Sequence, residues 1–211
     1  MHIAEGFLPF AHAAAWTAAA VPAIADGLRQ LNRRVAEDRS QRYLLAAAAA
    51  FTFALSALKL PSVAGSSSHP TGVALGTILF GPRIMSVIGT LVLLFQALLL
   101  AHGGLTTLGA NAFSMAIAGP WMAWAVYKLL ARFGTAPSTF VAAFAADLFT
   151  YTMTATQLAL AFPAADGGFA ASVSRFLGVF GVTQLPLAIF EGLLTVFVLR
   201  SLQPQTKEAL A

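Results

Sequence analysis

The chain contains no cysteine. Disulfide frameworks and thiolate metal sites are therefore excluded, and cysteine usage says nothing about the redox compartment. Charge is almost as scarce. Charged residues make up 9% of the 211 positions and hydrophobic residues 58%, against about 25% charge in an ordinary soluble domain. That balance excludes a soluble globular domain and leaves an integral membrane protein. The first nine residues carry no Lys or Arg, so the basic n-region of a secretory signal is missing and the start is expected to stay uncleaved. The net charge of +4 is no nucleic-acid footprint, because the positive residues sit in loops beside apolar runs. Walker, GxGxxG and HExxH motifs are absent, as is a Ser-His-Asp order, so no enzyme is indicated.

What is present is a series of apolar runs: Phe7 to Ile24, Tyr43 to Leu58, Gly72 to Phe80, Ile84 to Ala101, Asn111 to Leu130, Pro137 to Phe162, and Phe176 to Leu199. Five or six approach the roughly 20 residues that a bilayer demands of a helix. The expected fold is an all-α membrane protein with seven transmembrane helices, one of them short, in one domain spanning 1–211. The basic residues set its sidedness. Arg29, Arg33, Arg34, Arg39 and Arg42 follow the first run, Arg83 the third, Lys128 and Arg132 the fifth, and Arg200 and Lys207 the seventh; only Lys59 and Arg175 fall on the other face. The positive-inside rule then puts the amino terminus outside, folded into the bundle, and the carboxyl terminus in the cytoplasm. The expected location is the inner or plasma membrane, crossed several times.

The third run is anomalous. Pro70 to Arg83 is 14 residues, about 21 Å as a helix, whereas the hydrocarbon core is about 30 Å thick. His69 is therefore expected inside the membrane, in an unwound approach to a short helix, with Pro70 in its first turn. Ser66, Ser67 and Ser68 supply hydroxyls for backbone at that depth, which must line a cavity or be buried in protein. Short or broken helices of this kind point to a transport site.

Met1-His2 is a ready-made chelate. The α-amine, the His2 amide nitrogen and the His2 ring nitrogen can close two small rings on one ion, and a distant imidazole such as His69 can complete a square plane. All-nitrogen ligation of that shape suits Cu(II), Ni(II) or low-spin Co(II) rather than Mg(II) or Ca(II). The segment Ile3 to Pro9 is too apolar for a solvated tail and could fold inward. Of the other histidines, His12 reads as packed or capping in the first span. His102, beside Gly103-Gly104, reads as a residue solvated at the interface or a ligand on the way in. Asp147 and Glu191 fall within the sixth and seventh runs, where ionisable groups usually face the bundle interior. They could support ligands, carry protons or bond neighbouring helices. Gln96, Gln157 and Gln184 can bond helices together in the same way.

Four stretches resemble a known family: Met-His-Ile-Ala-Glu-Gly-Phe-Leu-Pro at the start, Gly-Ser-Ser-Ser-His-Pro-Thr-Gly at 65–72, Leu-Phe-Gly-Pro at 79–82, and His-Gly-Gly-Leu-Thr-Thr-Leu-Gly-Ala-Asn-Ala-Phe-Ser-Met at 102–115. They are similar to the CbiM/NikM family, the substrate-binding S components of energy-coupling factor (ECF) transporters, over essentially the whole chain. The resemblance implies metal ligation by Met1, His2 and His69, with the 102–111 loop near the pocket. Ser67, Ser68, His102 and Asn111 are the candidate pocket or supporting residues. It implies no resident cofactor, Co(II) or Ni(II) as the transported ligand, and import of cobalt for corrinoid synthesis, with nickel the alternative. The implied partners are a transmembrane coupling protein, cytoplasmic ATPases and a small accessory membrane subunit, expected as a separate chain. The lipid bilayer is the surrounding medium, and no nucleic acid is implied.

Overall fold

The structure, a computed structural model, describes residues 2–58, 60–61 and 67–208. Helices dominate: α1 Phe10–Glu37, α2 Gln41–Ala57, α3 Val73–Phe80, α4 Pro82–Leu100, α5 Leu108–Asn111, α6 Gly119–Leu130, α7 Thr135–Ala161 and α8 Gly168–Glu208. A π-helical stretch, Ala112–Ala118, joins α5 to α6. The only ladder among the described residues pairs β1 (Leu60–Pro61) with β2 (Ser67–Ser68), antiparallel. Two of the helices, Pro82–Leu100 and Gly168–Leu202 of α8, are long and apolar enough to cross a membrane on length and composition alone.

Each apolar run lies on a helix, but the bounds differ. The first helix runs thirteen residues past Ile24, to Glu37. Hydropathy stops at the charges, whereas the backbone continues because Arg29 and Arg33 project outward while Gly27 stays buried against α4. The eighth helix begins at Gly168, eight residues before Phe176. Pro70 is not in the first turn of α3. That helix starts at Val73, and Gly72 caps it in the left-handed region at φ 70°, a conformation open to glycine at little cost. Residues 69–72 are therefore not helical. Extended backbone advances about 3.3 Å per residue against 1.5 Å in a helix, so a count of helical rise understates how far this stretch reaches.

The π-helical stretch has a local cause. Pro120 has no N–H to offer the carbonyl four residues back, and its ring crowds that carbonyl. The Gly119 N–H bonds instead to the Ser114 carbonyl, five residues back.

Small residues let the helices close on one another, the usual device where lipid offers no hydrophobic drive between them. A Cβ on Gly89 of α4 would meet Ala116, and one on Gly109 of α5 would meet Thr17 of α1. The main apolar cluster joins Ile84, Met85, Ile88 and Leu93 of α4 to Val73, Ala74 and Phe80 of α3 and to Met115 and Ala116. A second cluster brings Ile3 and Leu8 of the amino-terminal segment against Tyr151, Ala155 and Leu158 of α7 and Phe180 of α8. This second cluster positions the site.

Candidate metal centre

His2, His69 and His102 converge. One ligand atom from each lies within 4.8 Å of the others, and His69 and His102 are buried. The His2 and His69 rings stack at 4.6 Å and 13°, and the His102 ring stands nearly edge-on to both. His2 Nδ1 and His102 Nε2 are 2.6 Å apart. Two ring nitrogens that close must share a proton or a cation. Cis donors with metal–nitrogen bonds of about 2.0–2.1 Å would sit about 2.9 Å apart.

His2 is delivered by an amino-terminal segment that folds inward as its apolar residues require. The Ile3 N–H donates to Asn111 Oδ1 at 2.8 Å, and Asn111 Nδ2 donates back to the Ile3 carbonyl at 3.0 Å. The Thr107 hydroxyl donates to the same carbonyl at 2.7 Å. Outside, the Gly6 N–H donates to Thr106 Oγ1, and the Glu5 carboxylate accepts from the Thr106 N–H. Bonding from Thr106 holds the Glu5 carboxyl below the ordinary carboxylate range. Gly103 has φ 81°, and a Cβ there would press on Asn111 Nδ2 at 3.1 Å and His2 Cβ at 3.3 Å. Glycine thus serves both the turn and the close approach.

His69 is delivered differently. Its N–H donates to Tyr151 Oη, and the Tyr151 hydroxyl donates to its carbonyl. Gln184 Nε2 reaches the same carbonyl at 3.3 Å and both oxygens of Asp147 at 2.7 Å. His69 Nδ1 lies 2.9 Å from the Pro70 carbonyl. A carbonyl only accepts, so Nδ1 carries the proton and Nε2 carries the lone pair. This is the usual way a backbone group sets the tautomer of a ligating histidine.

His102 follows Ala101, which sits in the left-handed region at φ 47° and ends α4. The His102 N–H donates to the Gln96 carbonyl. Solvation at an interface does not describe it: it is 5% exposed, because the amino-terminal segment covers it. Gly103-Gly104 lets that segment lie against the loop. Asn111 lies with the site, bonded to Ile3. Ser68 is buried and its hydroxyl is 2.7 Å from that of Thr183. Ser67 belongs to β2. Met1 lies outside the described residues. His12 is in α1, apart from the three histidines. Tyr151, Thr107 and Thr71 were not singled out by sequence reasoning, since single Tyr and Thr residues carry no spacing signal.

A helical bundle with a buried cluster of nitrogen donors beneath a folded-in terminus describes a membrane transporter component. The comparisons agree with this class. The model of the CbiM family, described as the cobalt uptake substrate-specific transmembrane region, matches residues 2–209. The chain is 59% identical over 209 residues to the cobalt transport protein CbiM of Streptomyces coelicolor, covering 98% of this chain and 90% of that one. It is 59% identical over 212 residues to cobalt transport protein CbiM 2 of Pelobacter propionicus, covering 100% and 94%. The crystal structure of a truncated transition metal transporter superposes with a TM-score of 0.85 at 27% identity, covering 97% of this chain and 99% of that one. The chain belongs to the CbiM family. It is a membrane component of a cobalt uptake transporter, not an enzyme, and cobalt is its substrate rather than a cofactor.

Proposed function

We propose that the whole chain acts as the substrate-binding component of an ECF-type transporter, capturing Co(II) outside the cell for import. His69 Nε2 and the His2 ring are donors, joined by the Met1 amine and the His2 amide nitrogen. His102 faces the same ion from beside His2 Nδ1. Ser68 and Asn111 hold the surrounding backbone, and Ser67 adjoins it in the same strand. The observation that carries the reading is the convergence of three imidazoles, from positions 2, 69 and 102, within 4.8 Å.

The geometry of α4 supports the proposed sidedness. It begins at Pro82-Arg83 and ends just before His102; 19 residues rise about 28 Å, close to the thickness of the hydrocarbon core. Arg83 lies beside Asp26, on the stretch of α1 that leads to Arg29, Arg33 and Arg34. The histidines and the basic residues thus sit at opposite ends of a membrane-length helix. Basic residues favour the cytoplasm, so the metal site faces outward. The reading has seven spans, an external amino terminus, a cytoplasmic carboxyl terminus and a plasma-membrane location. A transmembrane coupling protein, cytoplasmic ATPases and a small accessory subunit supply the energy and complete the assembly. Nickel is the second reading, since the same nitrogen donors accept Ni(II).

Titration of the purified chain with Co(II) tests the site. One ion is expected per chain, with proton release, because the donors must be deprotonated. Retained one-to-one binding by His69→Ala would overturn the donor set. Parallel titration with Ni(II) decides the preferred ion.

A further inference from the structure

Two buried carboxylates reach the stretch that carries His69, Asp147 on α7 through Gln184 and Glu191 on α8 directly, and the proposed ligand set uses neither. Glu191 accepts three bonds from one turn: the Thr71 N–H on Oε2, and on Oε1 the Thr71 hydroxyl and the Gly72 N–H, each at 2.9 Å. All three residues are buried. The turn precedes α3, whose first residues have no side-chain cap of their own. Glu191 therefore holds, from a helix distant in sequence, the turn that leads into α3, pairing buried N–H groups that lie just before the helix.

We propose that Glu191 is the positioning residue for the metal donor His69. The link is covalent and short. The His69 ring is oriented by its Nδ1–H bond to the Pro70 carbonyl, and Pro70 is joined directly to Thr71. Glu191 holds Thr71 and Gly72, so it holds the carbonyl that aims Nε2. Asp147 secures the other end of the same stretch through Gln184, which reaches the His69 carbonyl. Both ends of the 69–72 stretch thus depend on side chains of α7 and α8, and α8 is the helix that continues to the end carrying Arg200. The inference rests on the reading of His69 as a donor.

A glutamine at 191 keeps the volume but turns one acceptor oxygen into an NH2 group, which cannot accept from an N–H. The test uses full-length protein carrying Glu191→Gln, with Thr195→Val, a buried change on the same helix, as control. Partners outside the ligand shell typically contribute 10–100-fold to metal affinity. Glu191→Gln is expected to weaken Co(II) binding by about that factor and to alter the absorption bands of bound Co(II). Thr195→Val should leave both unchanged. In a His69→Ala background, Glu191→Gln should have no further effect on the residual affinity, measured with Cu(II), which binds such donors more tightly than Co(II) does. Unchanged Co(II) affinity in Glu191→Gln, or an equal loss with and without His69, overturns the positioning role alone. Full Co(II) affinity in His69→Ala overturns the donor reading and the proposal with it. Thr71→Val, which removes only the hydroxyl bond, gives a second measure if Glu191→Gln fails to fold; a loss of roughly fivefold that vanishes in His69→Ala is expected.

Discussion

The two arms that meet at the histidine cluster are built on opposite plans. The His69 arm is a non-helical stretch held inside the bundle by Tyr151, Gln184 and Glu191, all buried side chains of long helices. The His2 arm is the segment that precedes α1. Its inner contacts, Ile3 with Asn111 and Thr107, are buried, but its outer ones, Glu5 and Gly6 with Thr106, are exposed to water. Exposed polar contacts contribute little, while buried ones are costly to break. One proposed donor therefore stands on buried contacts alone, and the other on a segment whose outer contacts are exposed. A site that must take an ion from solvent and later give it up needs one removable wall.

The largest expected effect tests the rigid arm. His69→Ala should weaken Co(II) binding by more than about 100-fold, beyond the range typical of supporting residues. His12→Ala, which also removes one imidazole from the membrane region, should stay within about twofold. Affinities of the two variants at matched protein levels check this, and equal losses would erase the distinction between site and scaffold histidines. Lengthening the His2 arm comes next. One extra residue before Met1 takes the α-amine away from His2, and should abolish tight binding without changing the melting temperature of the protein without metal.

Asn111→Ala should have an intermediate effect. It removes both bonds to Ile3 and leaves a buried N–H unpaired, at about 1–3 kcal/mol, so affinity should fall about tenfold. Faster metal release in stopped-flow measurements would assign the loss to the His2 arm; unchanged release would break the comparison. The smallest effect belongs to Glu5. Its folded-state pKa is depressed, so its contact contributes above the unfolded pKa and is lost only as pH falls through the lower folded value. The contact should hold from pH 8 down to 5, while metal binding weakens across that range as the donors take up protons. Glu5→Gln should therefore shift affinity by no more than about twofold and leave the shape of the pH profile unchanged.

Membrane class, helical content and the placement of helices on apolar runs were legible because hydropathy records what each segment buries. Helix ends were not. The first helix passes Ile24 without regard to hydropathy, because its backbone bonds continue once the arginines can point outward. His2 and His69 stood out through chelate chemistry and the shortness of the third run. For His102 the sequence left interface solvation and a place in the pocket both open, because burial is a property of what folds over a residue, here a segment about one hundred positions away.

The composition, the spacing of apolar runs and the Met-His start are local quantities; through the first two the sequence by itself determined a helical membrane protein, and the third carries donors of the proposed site. Tertiary structure alone decided that three imidazoles meet, that His69 presents Nε2, and that Glu191 and Asp147 turn toward the 69–72 stretch. The physical reason is that a buried polar group must find its partner wherever packing brings one, and separations of 82 to 120 residues, as between His69 and Tyr151 or Thr71 and Glu191, leave no trace in any local pattern.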